Sequence, residues 1–104
     1  PLQMEKGEIK YELSTEDREI ALKSFLEETK KELLKVKQGL LQNEMQYRIF
    51  EFEHIKPKNI TKGQALEKMM VCKEQIIMFR QRIKNVELQI TAILEYARDF
   101  KIEV

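Results

Sequence analysis

Glu51 and His54 stand three residues apart, the Glu-x-x-His step by which di-iron bundles aim two ligands inward from one helix. Such a centre needs that step twice and two further carboxylates. This chain has a single histidine, and it lies close to Pro57 rather than in mid-helix, so the reading is no metal, with His54 closing a helix end. Cys72 is the single cysteine. With no second thiol and no neighbouring histidine it reads as a small buried hydrophobe and not as a nucleophile. Glu95 and Asp99 are one helical turn apart, a spacing that suits a solvated face. Nothing resembles a phosphate-binding glycine loop, a Ser-His-Asp set or a zinc framework, so the chain is expected to be no enzyme and to need no cofactor.

Charge offers one further chemistry. His54, Lys56, Lys58 and Lys62 fall in a stretch with no acid between Glu53 and Glu67. A basic tip of this kind, Lys56, Lys58 and Lys62, could touch phosphates, but it has no stacking aromatic and turns collect lysine for solubility. Nucleic acid is therefore a minor alternative. Over the whole chain 19 basic residues face 18 acidic ones, and a formal charge of +1 announces neither nucleic acid nor an anionic surface as a partner.

The elements that carry these residues are marked by periodicity. Leu22, Leu26, Thr29, Leu33, Val36, Leu40, Asn43, Tyr47, Phe50 and His54 alternate spacings of four and three, the heptad repeat of a coiled-coil seam with polar exceptions. Ser14 can cap the amide of Asp17 at the start, with Glu16 and Asp17 complementing the helix dipole, and Pro57 ends the helix. A second seam follows at Met69, Cys72, Ile76, Phe79, Ile83, Val86, Ile90, Ile93, Ala97 and Phe100. Thr61 and Gln64 form a capping box before it, and Ile60 can staple onto Ala65. Asn59 and Gly63 supply turn chemistry between the two.

The spacing predicts an all-α fold, a long antiparallel two-helix coiled-coil hairpin over residues 14–100, with helices at 14–55 and 62–100 and a loop at 56–61. Each helix of roughly 40 residues would run about 60 Å. With the loop centred between Asn59 and Ile60, the layers run from His54 with Ala65, through Phe50 with Met69, Leu40 with Phe79 and Val36 with Ile83, to Leu22 with Ala97. Asn43 sits among these layers as a polar core residue, the best-attested device for fixing register. Residues 1–13 form an extended segment in which Ile9, Tyr11 and Leu13 alternate, and Phe100, Ile102 and Val104 alternate at the other end, leading into the tail 101–104. Both have the period of half-buried strands, with frayed helix as the alternative at the C-terminal end.

Composition sets the outer bounds. In 104 residues, 36% charged with 42% hydrophobic, there is room for one folded domain, and no run approaches the 18 or more apolar residues of a membrane span. The reading is no membrane, and a lone cysteine with no leader points to a reducing, cytoplasmic setting, with a cytoskeletal association among the places where such modules are common. Pro1 in place of methionine reads as a fragment of a longer chain or a tag remnant.

Off the seams lies the most informative pattern. Leu34, Leu41, Met45, Ile49 and Phe52 fall on outward faces of the first helix, and Leu66, Met70, Ile77 and Met78 on those of the second, all in the loop-proximal half. Outside its seam the base-proximal half reads as mostly charged, with Leu88 and Leu94 as the main exceptions. Two helices cannot bury such residues themselves, and clustered apolar surface marks an interface. The expected function is a non-enzymatic protein–protein interaction module, a scaffold, adaptor or oligomerisation hairpin whose partner is a protein or a second copy, with dimerisation into a four-helix bundle as one outcome. A hairpin presented to a small GTPase is the alternative within the binding class, by fold-level analogy.

Overall fold

The computed structural model describes residues 12–104, so Ile9 and Tyr11 of the expected N-terminal segment lie outside the described residues. Two helices, α1 (Thr15–Ile55) and α2 (Lys62–Asp99), fold back on each other as a rod with extents of 76 × 27 × 17 Å. The starts of both helices are built by reciprocal capping. Ser14 Oγ accepts from Asp17 N–H at 3.0 Å while Asp17 Oδ2 accepts from Ser14 N–H at 3.1 Å. Thr61 and Gln64 repeat the exchange for α2, at 3.1 and 3.0 Å. Each box satisfies amide groups that have no partner inside the helix.

The heptad pattern is the buried face. On α1 Leu22, Leu26 and Val36 are buried and the remaining seam residues half-buried; on α2 Cys72, Val86 and Ala97 are buried, and the seam from Met69 to Ile93 is otherwise half-buried. Half-burial is what a seam covered by only one neighbouring helix attains. Its polar members are satisfied inside their own helix: Thr29 Oγ1 donates to the Phe25 carbonyl at 2.6 Å and Asn43 Nδ2 to the Gly39 carbonyl at 2.9 Å. Gly39 itself is a close-approach position. A Cβ built there would stand 2.5 Å from Cε1 of Phe79, so the ring occupies the space that any larger residue would need.

Cross-helix contacts fix the alignment. Leu22 clusters with Ala97 at the base, Phe79 lies against Gly39 midway, and the Lys68 ammonium sits 5.8 Å from the Phe50 ring centroid near the tip. Glu32 pairs with Arg82 at 3.5 Å and Glu44 with Arg80 at 3.4 Å. Counting Leu26, Leu33 and Leu40 as heptad position a of α1, and Met69, Ile76 and Ile83 as a of α2, the first pair joins g to g and the second e to e. That matching of like flanks belongs to antiparallel helices.

The C-terminal end departs from the sequence reading. The alternation of Phe100, Ile102 and Val104 does not become a strand, and no strand occurs among the described residues. Instead α2 ends in a Schellman turn: Ile102 N–H donates to the Ala97 carbonyl at 2.8 Å and Lys101 N–H to the Arg98 carbonyl at 3.1 Å, with Lys101 at φ 56°. The turn folds Ile102 back into the cluster with Leu22 and Ala97, where it is buried. Phe100, expected as the last seam residue, is instead 46% exposed. The turn satisfies two otherwise orphaned carbonyls, which a frayed two-stranded ribbon would not.

The loop is held by a residue that the sequence did not single out. Glu53 Oε1 accepts from the backbone N–H groups of Lys58 and Asn59 at 2.8 and 3.3 Å, and Oε2 accepts from Asn59 Nδ2 at 2.7 Å. These donors hold the Glu53 carboxyl below the usual carboxylate range, the Lys58 amide most strongly, and Ser14 does the same for Asp17. The native form thus favours the ionised carboxylates, so this support is complete above the unfolded carboxylate range and is lost as pH falls through the lowered native values. Thermal melts from pH 7 to pH 3 should show a falling midpoint, and Glu53→Gln should shrink the gap to wild type as the pH drops; a constant gap would refute the staple.

Candidate functional site

Glu51 and His54 each have a structural partner. The Glu51 carboxylate lies 3.5 Å from Arg48 Nε, and His54 Nδ1 is 3.2 Å from the Lys62 carbonyl oxygen. A carbonyl only accepts, so in this contact His54 Nδ1 is the donor, and the ring bridges the end of α1 to the first turn of α2. Glu51 and His54 therefore serve different partners. Cys72 is buried in the seam, and Asp99 pairs with its neighbour Arg98 at 3.9 Å rather than with Glu95. Among the described residues there is no group of three or more His, Cys, Asp or Glu side chains placed to hold a metal ion. No described helix is long and apolar enough to cross a membrane.

The lysines of the tip, Lys56, Lys58 and Lys62, are exposed and enter no ion pair among the described residues. Beside them Ile49, Phe52 and Ile55 line an open hollow of about 410 Å³ with Glu53, Lys56 and Lys58. The tip is thus apolar as well as basic. Asn43, read as a register-fixing residue, is half-buried and spends its amide on Gly39 of its own helix, with no hydrogen bond to α2.

The outward apolar residues stand where the heptad phase puts them. Leu34, Leu41, Met45, Ile49, Phe52, Leu66, Met70, Ile77 and Met78 are all exposed, between 46% and 66%. They do not form one plane. Leu34 and Leu41 occupy position b of α1, Met45 and Phe52 position f, and Ile49 position c; on α2 Met70 and Ile77 take b, Met78 c and Leu66 e. The b and e positions of both helices flank one side of the rod, and Leu41 and Ile77 stand there at nearly the same level.

A second apolar surface was missed at the base. Beyond the expected exceptions Leu88 and Leu94, Ile20, Phe25 and Tyr96 are exposed there, which corrects the expectation of a mainly charged base. Leu13, Ala21, Leu22, Phe25, Ala92, Ile93 and Tyr96 line a groove of about 320 Å³. Arg18 frames it. Its Nε donates to Tyr96 Oη at 3.0 Å, its Nη1 to the Leu13 carbonyl at 2.8 Å, and its guanidinium lies 4.5 Å from the Phe100 ring centroid. Ala21 and Ala92 provide the hollow and the Phe25 ring one wall. Heptad phase carried the only signal: Phe25 and Tyr96 both precede a seam residue, and flanking positions meet across an antiparallel pair.

No protein family matches this chain, and no curated protein and no solved structure matches it.

Proposed function

We propose that the chain is a non-enzymatic protein–protein interaction module, a helical hairpin that acts as a scaffold, adaptor or oligomerisation element of a larger assembly. One observation supports this most: the nine outward apolar side chains named above, among them Leu34, Leu41, Ile77 and Met78, stay at 46% to 66% exposure after the two helices have covered all they can. Leaving that much apolar surface in water is uncommon unless something covers it, and methionines at Met45, Met70 and Met78 make that surface adaptable to the shape of a partner.

Solution mass by light scattering over a hundredfold dilution, with helicity followed in parallel, tests the reading. Self-association to about 25 kDa, twice the 12.5 kDa chain, that is lost in Leu41→Asp or in Ile77→Asp while helicity stays supports it. Association indifferent to both substitutions would refute the apolar face as the binding surface.

A further inference from the structure

The outer face of α1 carries a second heptad seam, and its charges are arranged for a second copy of the same helix. Leu34, Gln38, Leu41, Met45, Arg48 and Phe52 alternate spacings of four and three, like the buried seam, but on the opposite side of the helix, and all are exposed. Between the two seams runs the row at heptad position e: Lys30 and Lys37, then Glu44 and Glu51. The row is positive toward the base and negative toward the tip. Lys30 and Lys37 have no ion pair among the described residues, and Glu44 and Glu51 meet only arginines, at 3.4 and 3.5 Å.

We infer that the partner of this face is a second copy, with α1 packed antiparallel on α1 about a two-fold axis at the level of Asn43. This rests on the protein-interaction reading above and specifies its partner. In that register Leu34 meets the partner's Phe52, Leu41 the partner's Met45, and Gln38 the partner's Arg48, each contact occurring twice by symmetry. The flank then pairs Lys37 with the partner's Glu44 and Lys30 with the partner's Glu51, by the same like-to-like flank rule that pairs Glu44 with Arg80 inside the hairpin. Other alignments lose this match. Sliding by one heptad sets Glu44 against its own copy and Met45 against Arg48. A parallel pairing brings the lysine row beside Lys35 and Gln42, where there is no acid to meet it. The assembly is a four-helix layer in the order α2, α1, α1, α2, with each hairpin's tip pointing toward the other's base.

Chains carrying Lys37→Cys and chains carrying Glu44→Cys, each with Cys72→Ala and helicity checked, are mixed and treated with a short bis-maleimide. The expected product is a mixed 37-to-44 crosslink, with little crosslinking of either variant alone. Lys37→Glu should weaken the dimer roughly tenfold at low salt, because two surface pairs turn repulsive, and adding Glu44→Lys to the same chain should restore it. A dimer that crosslinks Glu44→Cys to itself, or ignores the charge swap, overturns this arrangement while leaving the interaction reading intact. A chain that is monomeric at about 0.1 mM, roughly a hundredfold above the micromolar, weak end of the range for standard interfaces, overturns it as well.

Discussion

Val36→Asp is expected to abolish the cooperative melt and most of the helicity. Val36 is 2% exposed and is the largest side chain wholly buried in the hairpin, at its mid-length, and Arg82, which lines the same surface hollow, is already paired with Glu32 at 3.5 Å. A carboxylate there is unpaired and desolvated, with a cost of several kcal/mol, comparable with the entire ~5–15 kcal/mol stability of a small domain. Val36→Ala provides the scale. Removing two methyls should lower stability by about 1–2.5 kcal/mol and leave a cooperative transition. Circular dichroism during urea titration separates the two, and a Val36→Asp chain with a wild-type midpoint would mean that the seam is not the source of stability.

Gly39→Ala should destabilise although it replaces the poorer helix former. On propensity alone alanine in mid-helix gains about 1 kcal/mol. Against it stands the Phe79 ring, with Cε1 2.5 Å and Cζ 2.7 Å from the new methyl group. The ring has to move out of the seam, and overpacking of this kind costs about 1–3 kcal/mol, so the sum is a net loss of up to about 2 kcal/mol. The sign is decided by a double substitution. In a Phe79→Leu background the clash is gone, and Gly39→Ala should become stabilising there. A substitution that destabilises equally in both backgrounds would place the reason for the glycine elsewhere.

What the sequence made legible is what depends on local spacing. The two seams, from Leu22 to His54 and from Met69 to Ala97, are read directly from alternating intervals because one neighbouring helix suffices to bury them. The boxes at Ser14 and Thr61 are equally local, each closed within three residues. The misses share another property. Glu53 gained its role only once the chain after Pro57 turned back over it. Lys101 adopts a left-handed backbone that glycine normally marks, so no residue type announced the turn that swaps Phe100 for Ile102 at the base. Phe25 and Tyr96 sit on flanks, where burial depends on which flanks face each other, and nothing in the spacing around Gly39 marks the Phe79 ring that lies against it. For the outward face, heptad phase predicted exposure correctly residue by residue. It could not say what covers it.

The Arg18 clasp and the Ile102 plug lie at one pole of the rod, where α1 begins and α2 ends. Tension applied through Thr15 and Asp99 therefore does not shear the helices along their length. It peels them apart, loading the clasp first, then the layer of Leu22 and Ala97, and each later layer only after the one before has given way. Under such loading the resistance of the hairpin equals that of its strongest single layer, however many layers follow, and the Glu53 staple at the far pole feels no load until the end. Mechanically the molecule is a zipper fastened at the pole where a pull would open it.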